Sequence, residues 1–406
     1  MTIASNQSSL ETKHQLHKEV NEAASAARSA YAELLACFPG SGDRPVALQR
    51  SLGVNKKLAW QVFRVATAHS PLNAGVAVPG ISASTQVANA AKKQGVPDAV
   101  AERIMTSTQE FHDAVERHAE DRSVFELMVR SVTGEGIENY ELDLKRTAFR
   151  ANRELLGKCA EVSLSSLVIV PGREEGKYDL TLVRGLHDLR RLRPTVPLQI
   201  AYHKFSETEE LFPREPISED DALDEGLPAS LLAEYGSQPT PKIRHVHSRA
   251  GAIRSFAETE GLGNSSLTTC FLGSVARNVS ELGGLNHVVE VSTPSRLLIH
   301  DFFVDERLVG QNEPDFCVMS RPADTDLWPG DDPSVVLPGH EQVSFICVGL
   351  SSIATPSLPR YTEMMNDVVG RLGWEAERLR LYRTMIEYPI LNSVVWTRFD
   401  IDTEQD

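Results

Sequence analysis

The chain has 406 residues, 41% of them hydrophobic and 24% charged, an ordinary globular composition with room for two or three domains. A net charge of -15 at pH 7 and a pI near 5.3 exclude a uniformly basic nucleic-acid-coating protein, and no apolar run approaches the ~18 residues of a membrane span. The opening MTIASNQSSLETKHQ lacks the apolar core of a secretory signal, and Cys37, Cys159, Cys270, Cys317 and Cys347 show no CxxC or Cys/His ligand spacing, so buried free thiols in a cytoplasmic protein without a metal or other cofactor are expected.

Taken in chain order, residues 1–10 are polar and are expected to be disordered. A long helix is predicted over 11–37, where Leu16, Val20, Ala23, Ala27, Tyr31 and Leu34 recur at spacings of three and four. FPGSGDRP (38–45) ends it. ALQRSLGVNKKLAWQVFRV (47–65) reads as two short helices with a turn at Gly53, and 66–80 as a Pro/Gly-containing linker or irregular loop. A short helix is predicted over 82–95, capped by Ser82 or Ser84 and ended by Gly95. A longer helix or helix pair follows over 96–132, with Pro97 in its first turn and a break at 133–140. A further amphipathic segment spans 140–159.

Beyond about residue 159 the texture changes to short β-branched or aromatic runs such as SLSSLVIVPG, YDLTLVRGL, VPLQIAYH, NHVVEVSTP, RLLIHDFFV and LNSVVWTRFDI, bounded by turn residues. Helical patterns interrupt them near 249–259 and 360–380. The predicted fold is α+β: an all-helical N-terminal region, then a mixed or mostly antiparallel α+β domain, with no regular strand–helix alternation demanding a doubly wound parallel sheet. The predicted organisation is a DNA-binding domain at 1–80, a helical connector or dimerisation region at 81–157, and an α+β sensing or interaction domain at 158–406. Acidic loops are expected at 206–226 and 324–333, and no fixed-period repeat occurs.

The charge is unevenly spread. Residues 1–80 carry eight basic and five acidic side chains, a net +3, which leaves -18 on the remainder. Any contact with a polyanion is therefore expected in the first 80 residues. Within 47–65 the spacing assigns inward positions to Leu48, Leu52, Val54, Leu58, Ala59, Val62 and Val65, and a turn with φ > 0 to Gly53. Asn55 is a candidate N-cap. Lys56, Lys57, Trp60, Gln61 and Arg64 are left on the outer face of the second helix, where a groove-docked helix meets bases and phosphates. Gln61 has the donors and acceptors to read adenine, and Arg64 those to read guanine or hold a phosphate. Arg44 and Arg50 flank the unit as candidate phosphate contacts.

LQRSLGVNKKLAWQVFRV resembles the helix-turn-helix segments of bacterial transcription regulators. The resemblance covers about 20 residues, and it departs at Gln49, where those regulators usually carry a small residue four before the turn glycine. It implies a DNA-binding regulator acting on double-stranded DNA; a homodimer is expected because one short unit reads too few base pairs for tight specific binding, and a small-molecule or protein effector is expected for the C-terminal region. The alternatives are a non-catalytic assembly or interaction protein with a helical scaffold and, behind it, an enzyme in the C-terminal region. No catalytic activity is expected.

Other motifs are weaker. GLGNSS (261–266) has Ser266 where a dinucleotide fingerprint needs its third Gly, and GLSSI (349–353) has Ile353 where a nucleophile elbow needs Gly. No Walker-type nucleotide motif occurs. His245 and His247 share a strand face and could form a metal site with His287 or His300, although a hydrogen-bonded or surface pair is the commoner arrangement. Asp301 and Asp305 are candidate general acids with no identifiable partner. Arg190, Arg191 and Arg193 form a basic cluster for the acidic loop, for solvent or for a DNA phosphate.

Overall fold

The computed structural model describes residues 3–38, 45–134, 136–204, 214–218, 222–223, 227–247, 252–280, 284–309, 312–320 and 333–399. The chain divides into two compact units, Met1–Tyr140 and Glu141–Asp406. The fold is α+β.

The first unit is helical: α1 (Ile3–Ala36), α2 (Pro45–Leu52), α3 (Lys56–Thr67), α4 (Pro71–Ala77), α5 (Ile81–Lys93), α6 (Asp98–Ala119) and α7 (Arg122–Thr133), with α8 (Ile137–Leu156) beginning in it and continuing into the second. One core runs through it from Val20 to Val129, so the helices on both sides of residue 80 share the same buried cluster. α1 starts at Ile3, ahead of the expected Glu11, because residues 3–36 contain neither Pro nor Gly. Its Tyr31 is buried, with its hydroxyl 2.8 Å from Ser84 Oγ and 3.3 Å from Thr108 Oγ1. Ser84 therefore faces inward and caps nothing; α5 starts from Gly80 without a side-chain cap. Pro97 is likewise the N-cap of α6 and stands outside its first turn.

The expected linker at 66–80 contains a helix. Ser70 caps α4 by accepting from the Asn73 N–H, and Pro71 fills the first position, where no N–H is needed. Gly75 lets α4 pack close, since a Cβ there would lie 3.0 Å from the rings of both Phe111 and Phe125. The expected helix pair over 96–132 is α6 and α7, separated where Asp121 caps α7 through the Val124 N–H.

The second unit is built on an eight-stranded sheet. Its strands are β1 (Lys158–Pro171), β2 (Tyr178–Arg191), β4 (Arg214–Pro216), β5 (Ser230–Leu231), β8 (Thr268–Val279), β10 (Ser295–Asp305), β12 (Ser344–Val348) and β13 (Leu379–Glu387). The order is β12-β13-β10-β1-β2-β8-β4, with β5 also on β8. β1 pairs parallel to β10 and antiparallel to β2, so the sheet is mixed. Two three-stranded sheets accompany it. One is β9 (Leu285–Glu290), β14 (Ser393–Phe399) and β11 (Asp315–Ser320); the other is β3 (Leu198–Lys204), β7 (Ala252–Glu258) and β6 (Lys242–His247). A single helical turn, α9 (Glu306–Val309), follows β10, and α10 (Tyr361–Leu372) is the one long helix of this unit after α8 among the described residues.

The period of two along the strands places the cores. Val162, Leu164 and Val168 of β1, with Ile299 and Phe303 of β10, pack against Met364, Met365 and Val368 of α10. The alternate residues Leu167, Ile169, Phe302 and Val304 pack against Leu285 of β9 and Phe399 of β14 on the opposite face. The segment expected to be helical near 249–259 is strand β7: Ile253, Ser255 and Ala257 are buried while Arg254 and Glu258 are exposed, an alternation no helix would produce. The helical pattern near 360–380 is α10 for its first part and gives way to β13 at Leu379. Of the acidic run 206–226 only 214–218 and 222–223 lie among the described residues, and of 324–333 only Pro333. No helix among the described residues is long and apolar enough to cross a membrane. The five thiols are free; Cys159 and Cys270 are buried, and Cys37, expected buried, is exposed.

Candidate functional site

The stretch 45–67 folds as two helices joined by Gly53, Val54 and Asn55. Gly53 has φ +72°, the conformation its missing Cβ permits, and its N–H donates to the Gln49 carbonyl at 2.9 Å to close α2. Asn55 is extended (φ -67°, ψ 159°) and its side chain accepts from the Leu58 N–H at 2.9 Å, a cap worth about 1 kcal/mol. Leu48, Leu52, Leu58, Ala59, Val62 and Val65 are buried, and Gln49 and Val54 are half-buried. The larger side chain at 49 is thus only partly enclosed.

The remaining positions form one outward face. Asn55, Lys56, Lys57, Trp60 and Arg64 are exposed and Gln61 is half-buried, while Arg50 is exposed in the last turn of α2. Arg64 lies 4.8 Å from the Trp60 ring centroid, a cation–π contact that aligns the guanidinium along α3. Trp60 is 49% exposed, a large apolar surface left uncovered. Lys56 and Lys57 occupy the first turn of α3, which has no acidic residue. Positive charge at a helix N-terminus opposes the macrodipole, so these lysines do not serve helix stability. Arg44 lies outside the described residues.

The weaker candidates do not converge on a metal site, although His287 and His300 stack on each other. Among the described residues no group of three or more His, Cys, Asp or Glu could hold a metal ion. His245 on β6 bonds Ser255 Oγ at 2.9 Å, and His247 is exposed. Asp305 is engaged by Arg307 of the following helical turn, at 2.9 and 2.6 Å. Arg190 pairs with Glu161, Arg191 donates to the carbonyls of Val196 (2.8 Å) and Thr259 (3.0 Å), and the Arg193 stem packs against Gly157, so this basic cluster is used within the fold. GLGNSS and GLSSI are turns, with Gly261, Gly263 and Gly349 at positive φ.

Two polar rows cross the middle of the eight-stranded sheet; Asp301, His287 and His300 stood out in the sequence, but the partners that complete the rows did not. On the α10 face, Ser166, Asp301 and Arg383 are cross-strand neighbours. Arg383 grips Asp301 with Nε and Nη2 at 2.8 and 2.6 Å, and the Tyr361 hydroxyl donates to Asp301 at 2.6 Å while meeting Ser166 Oγ at 2.8 Å. Burial and the adjacent carboxylate push the Tyr361 hydroxyl well above its usual range. On the other face, Arg184, Ser165, His300 and Thr384 are in register. His287 of β9 stacks on His300 at 3.8 Å and meets Ser165 Oγ through Nε2 at 2.9 Å, while His300 meets Thr397 Oγ1 at 3.1 Å. Ser165 is fully buried, so this Ser–His pair presents no hydroxyl to a substrate.

Burial and the nearby Arg184 push the His300 imidazole down to about 3. Burial, His300 and Arg184 hold His287 well below its usual range. Both rings are neutral in the fold, while unfolded imidazoles protonate near pH 6.5. The unfolded chain therefore binds more protons below about pH 6.5, and stability falls as pH drops from there toward 3. Integrated to pH 5, the loss is about 2 kcal/mol for His300, and His287 shifts stability in the same direction. Urea unfolding of the second unit is expected to show a clearly lower midpoint at pH 5 than at pH 7.5; an unchanged midpoint would show that the stacked pair accepts a proton in place.

Comparison with protein-family models, with curated proteins and with solved structures finds no match to this chain.

Proposed function

We propose that the chain is a DNA-binding transcription regulator and that α3 enters the major groove of double-stranded DNA. The observation that carries this is the division of α3 into two faces: an inward one fully occupied by the core and an outward one of Lys56, Lys57, Trp60, Gln61 and Arg64, in a chain whose net charge is -15. An acidic protein has no solubility need for lysines at this position, and the helix dipole opposes them. Phosphate groups reverse both arguments.

In this reading Lys56, Lys57 and Arg50 hold backbone phosphates, Gln61 reads a base edge, and Arg64, fixed by Trp60, reads a guanine or a phosphate. One short recognition helix contacts few base pairs, so a homodimer on two half-sites completes the specificity. The second unit then serves as the sensing or oligomerisation part.

The test is fluorescence anisotropy of a labelled duplex titrated with the full chain across a salt series. Binding of the homodimer through three or four phosphate contacts per chain gives a slope of log K against log salt of about -5 to -7. No binding at low salt would overturn the reading and leave the α2–α3 pair as a protein-contacting scaffold.

A further inference from the structure

A cleft of about 500 Å³ lies wholly within the second unit, lined from β1, β2, β3, β4, β7 and β8 and the end of β9. Its position follows from the period of two. Leu182, Arg184 and Leu186 of β2 point to the sheet face opposite α10, and β3 and β7 supply Ile200, Tyr202 and Arg254 across from them. Of its four charged lining residues among those described, three are arginines (Arg184, Arg214 and Arg254) and one is Glu290. This excess of cations sits in a unit whose own net charge is -14, since residues 1–140 carry 14 basic and 15 acidic side chains.

Arg184 is the unusual member. It lines the cleft, and its side chain stays exposed there. Its hydrogen bond is to a neutral acceptor, the Val288 carbonyl at 2.9 Å, and among the described residues no carboxylate pairs with it. Burial and then the charge of Arg214 push it down to about 10. Like charges lining one cavity repel each other, and an anion bound there would relieve that repulsion. At the mouth, Arg254 lies 5.5 Å from the Tyr202 ring centroid, and Tyr202 is 49% exposed, so an aromatic surface and a second guanidinium flank the entrance. The walls are mixed: Leu186, Ile200, Leu227 and Val289 supply apolar surface, and Ser163, Gln199, Ser274 and Thr293 supply polar groups. Such a volume and lining suit a small organic molecule with an apolar body and one anionic head.

We propose that this cleft binds an amphiphilic organic anion, its carboxylate, sulfonate or phosphate head on Arg184 and its apolar body against Tyr202 and the aliphatic walls. The inference stands independently of the nucleic-acid reading, because every residue it uses belongs to the second unit.

The test uses two dyes of one shape, 8-anilinonaphthalene-1-sulfonate and its uncharged counterpart N-phenyl-1-naphthylamine, titrated by fluorescence into the full chain. The sulfonate is expected to bind saturably at one site per chain, at least tenfold more tightly than the neutral dye. Arg184→Met is expected to erase that gap. Arg254→Met, at an exposed position that does not threaten folding, is expected to weaken the sulfonate about threefold and leave the neutral dye unchanged. Equal affinity for the two dyes, no saturable sulfonate binding, or wild-type discrimination in both variants would overturn the proposal.

Discussion

Reversing both lysines, Lys56→Glu with Lys57→Glu, is expected to weaken duplex binding by the full chain about a hundredfold or more at 0.1 M salt while slightly raising thermal stability. The two effects have opposite signs for one physical reason. The N-terminus of α3 carries partial positive charge from its unsatisfied N–H groups, so two carboxylates there add about 0.3–1 kcal/mol each to helix stability, where the two exposed lysines subtract from it. Phosphates approaching the same helix end are attracted by the lysines and repelled by the glutamates. Removing two phosphate contacts per chain also reduces the salt slope by about two units for each chain of the dimer, whatever the DNA sequence. Gln61→Ala should behave differently, relaxing sequence preference with little change in slope, because an amide neutralises no phosphate. Differential scanning calorimetry alongside anisotropy separates the cases. If α3 is only a scaffold helix, the stabilisation persists and no binding change accompanies it.

Legibility in this chain divides along the two units for a physical reason. In the helical unit the information is local. The spacing of Leu48, Leu52, Leu58, Ala59 and Val62 marked the buried side of α2 and α3, Gly53 marked the positive-φ turn, and Asn55 marked the cap; the structure places each of these as the spacing required. Where reading failed, a tertiary contact had overridden a local rule. Residues 66–80 looked irregular because Gly75 and two prolines weaken a helix, yet the same glycine lets α4 sit against Phe111 and Phe125. Ser84 looked like a cap, but its hydroxyl is taken by Tyr31, 53 residues away.

In the second unit the decisive contacts are long-range. A polar residue within a strand pattern is ordinarily assigned to the solvent face. Ser165, Ser166, His300 and Asp301 break that rule, because the sheet is covered on both faces and the polar residues of one strand meet polar residues of its neighbours in register. Asp301 and Arg383 are 82 residues apart, and Ser166 and Tyr361 are 195 apart. No window of sequence joins them. The same holds for Arg184 and Arg254: the first sits in YDLTLVRGL as an unremarkable strand arginine, the second in a segment expected to be helical, and they become neighbours of one cavity only when β2 and β7 are brought together.

The largest stability effect is expected at Asp301. Asp301→Ala should lower the unfolding free energy of the second unit by about 3–5 kcal/mol, because it leaves the Arg383 guanidinium buried with only the Ile353 carbonyl at 3.0 Å to receive it. The Tyr361 hydroxyl also loses its acceptor and keeps only Ser166. The loss measures the penalty of an orphaned charge and not the net worth of the pair, since bringing both ions out of water was itself costly. The double variant Asp301→Leu with Arg383→Met makes the distinction, filling the same space with apolar groups that face Ile299, Phe303 and the α10 core. It should recover most of the lost stability, giving a coupling energy of about 2 kcal/mol or more in the cycle. Urea melts of the wild type, Asp301→Leu, Arg383→Met and the double variant, followed by the fluorescence of Trp374 and Trp396, both in this unit, give the four values the cycle needs. If the double variant is no more stable than Asp301→Ala, the row of Ser166, Tyr361, Asp301 and Arg383 is required as a whole to hold α10 on the sheet.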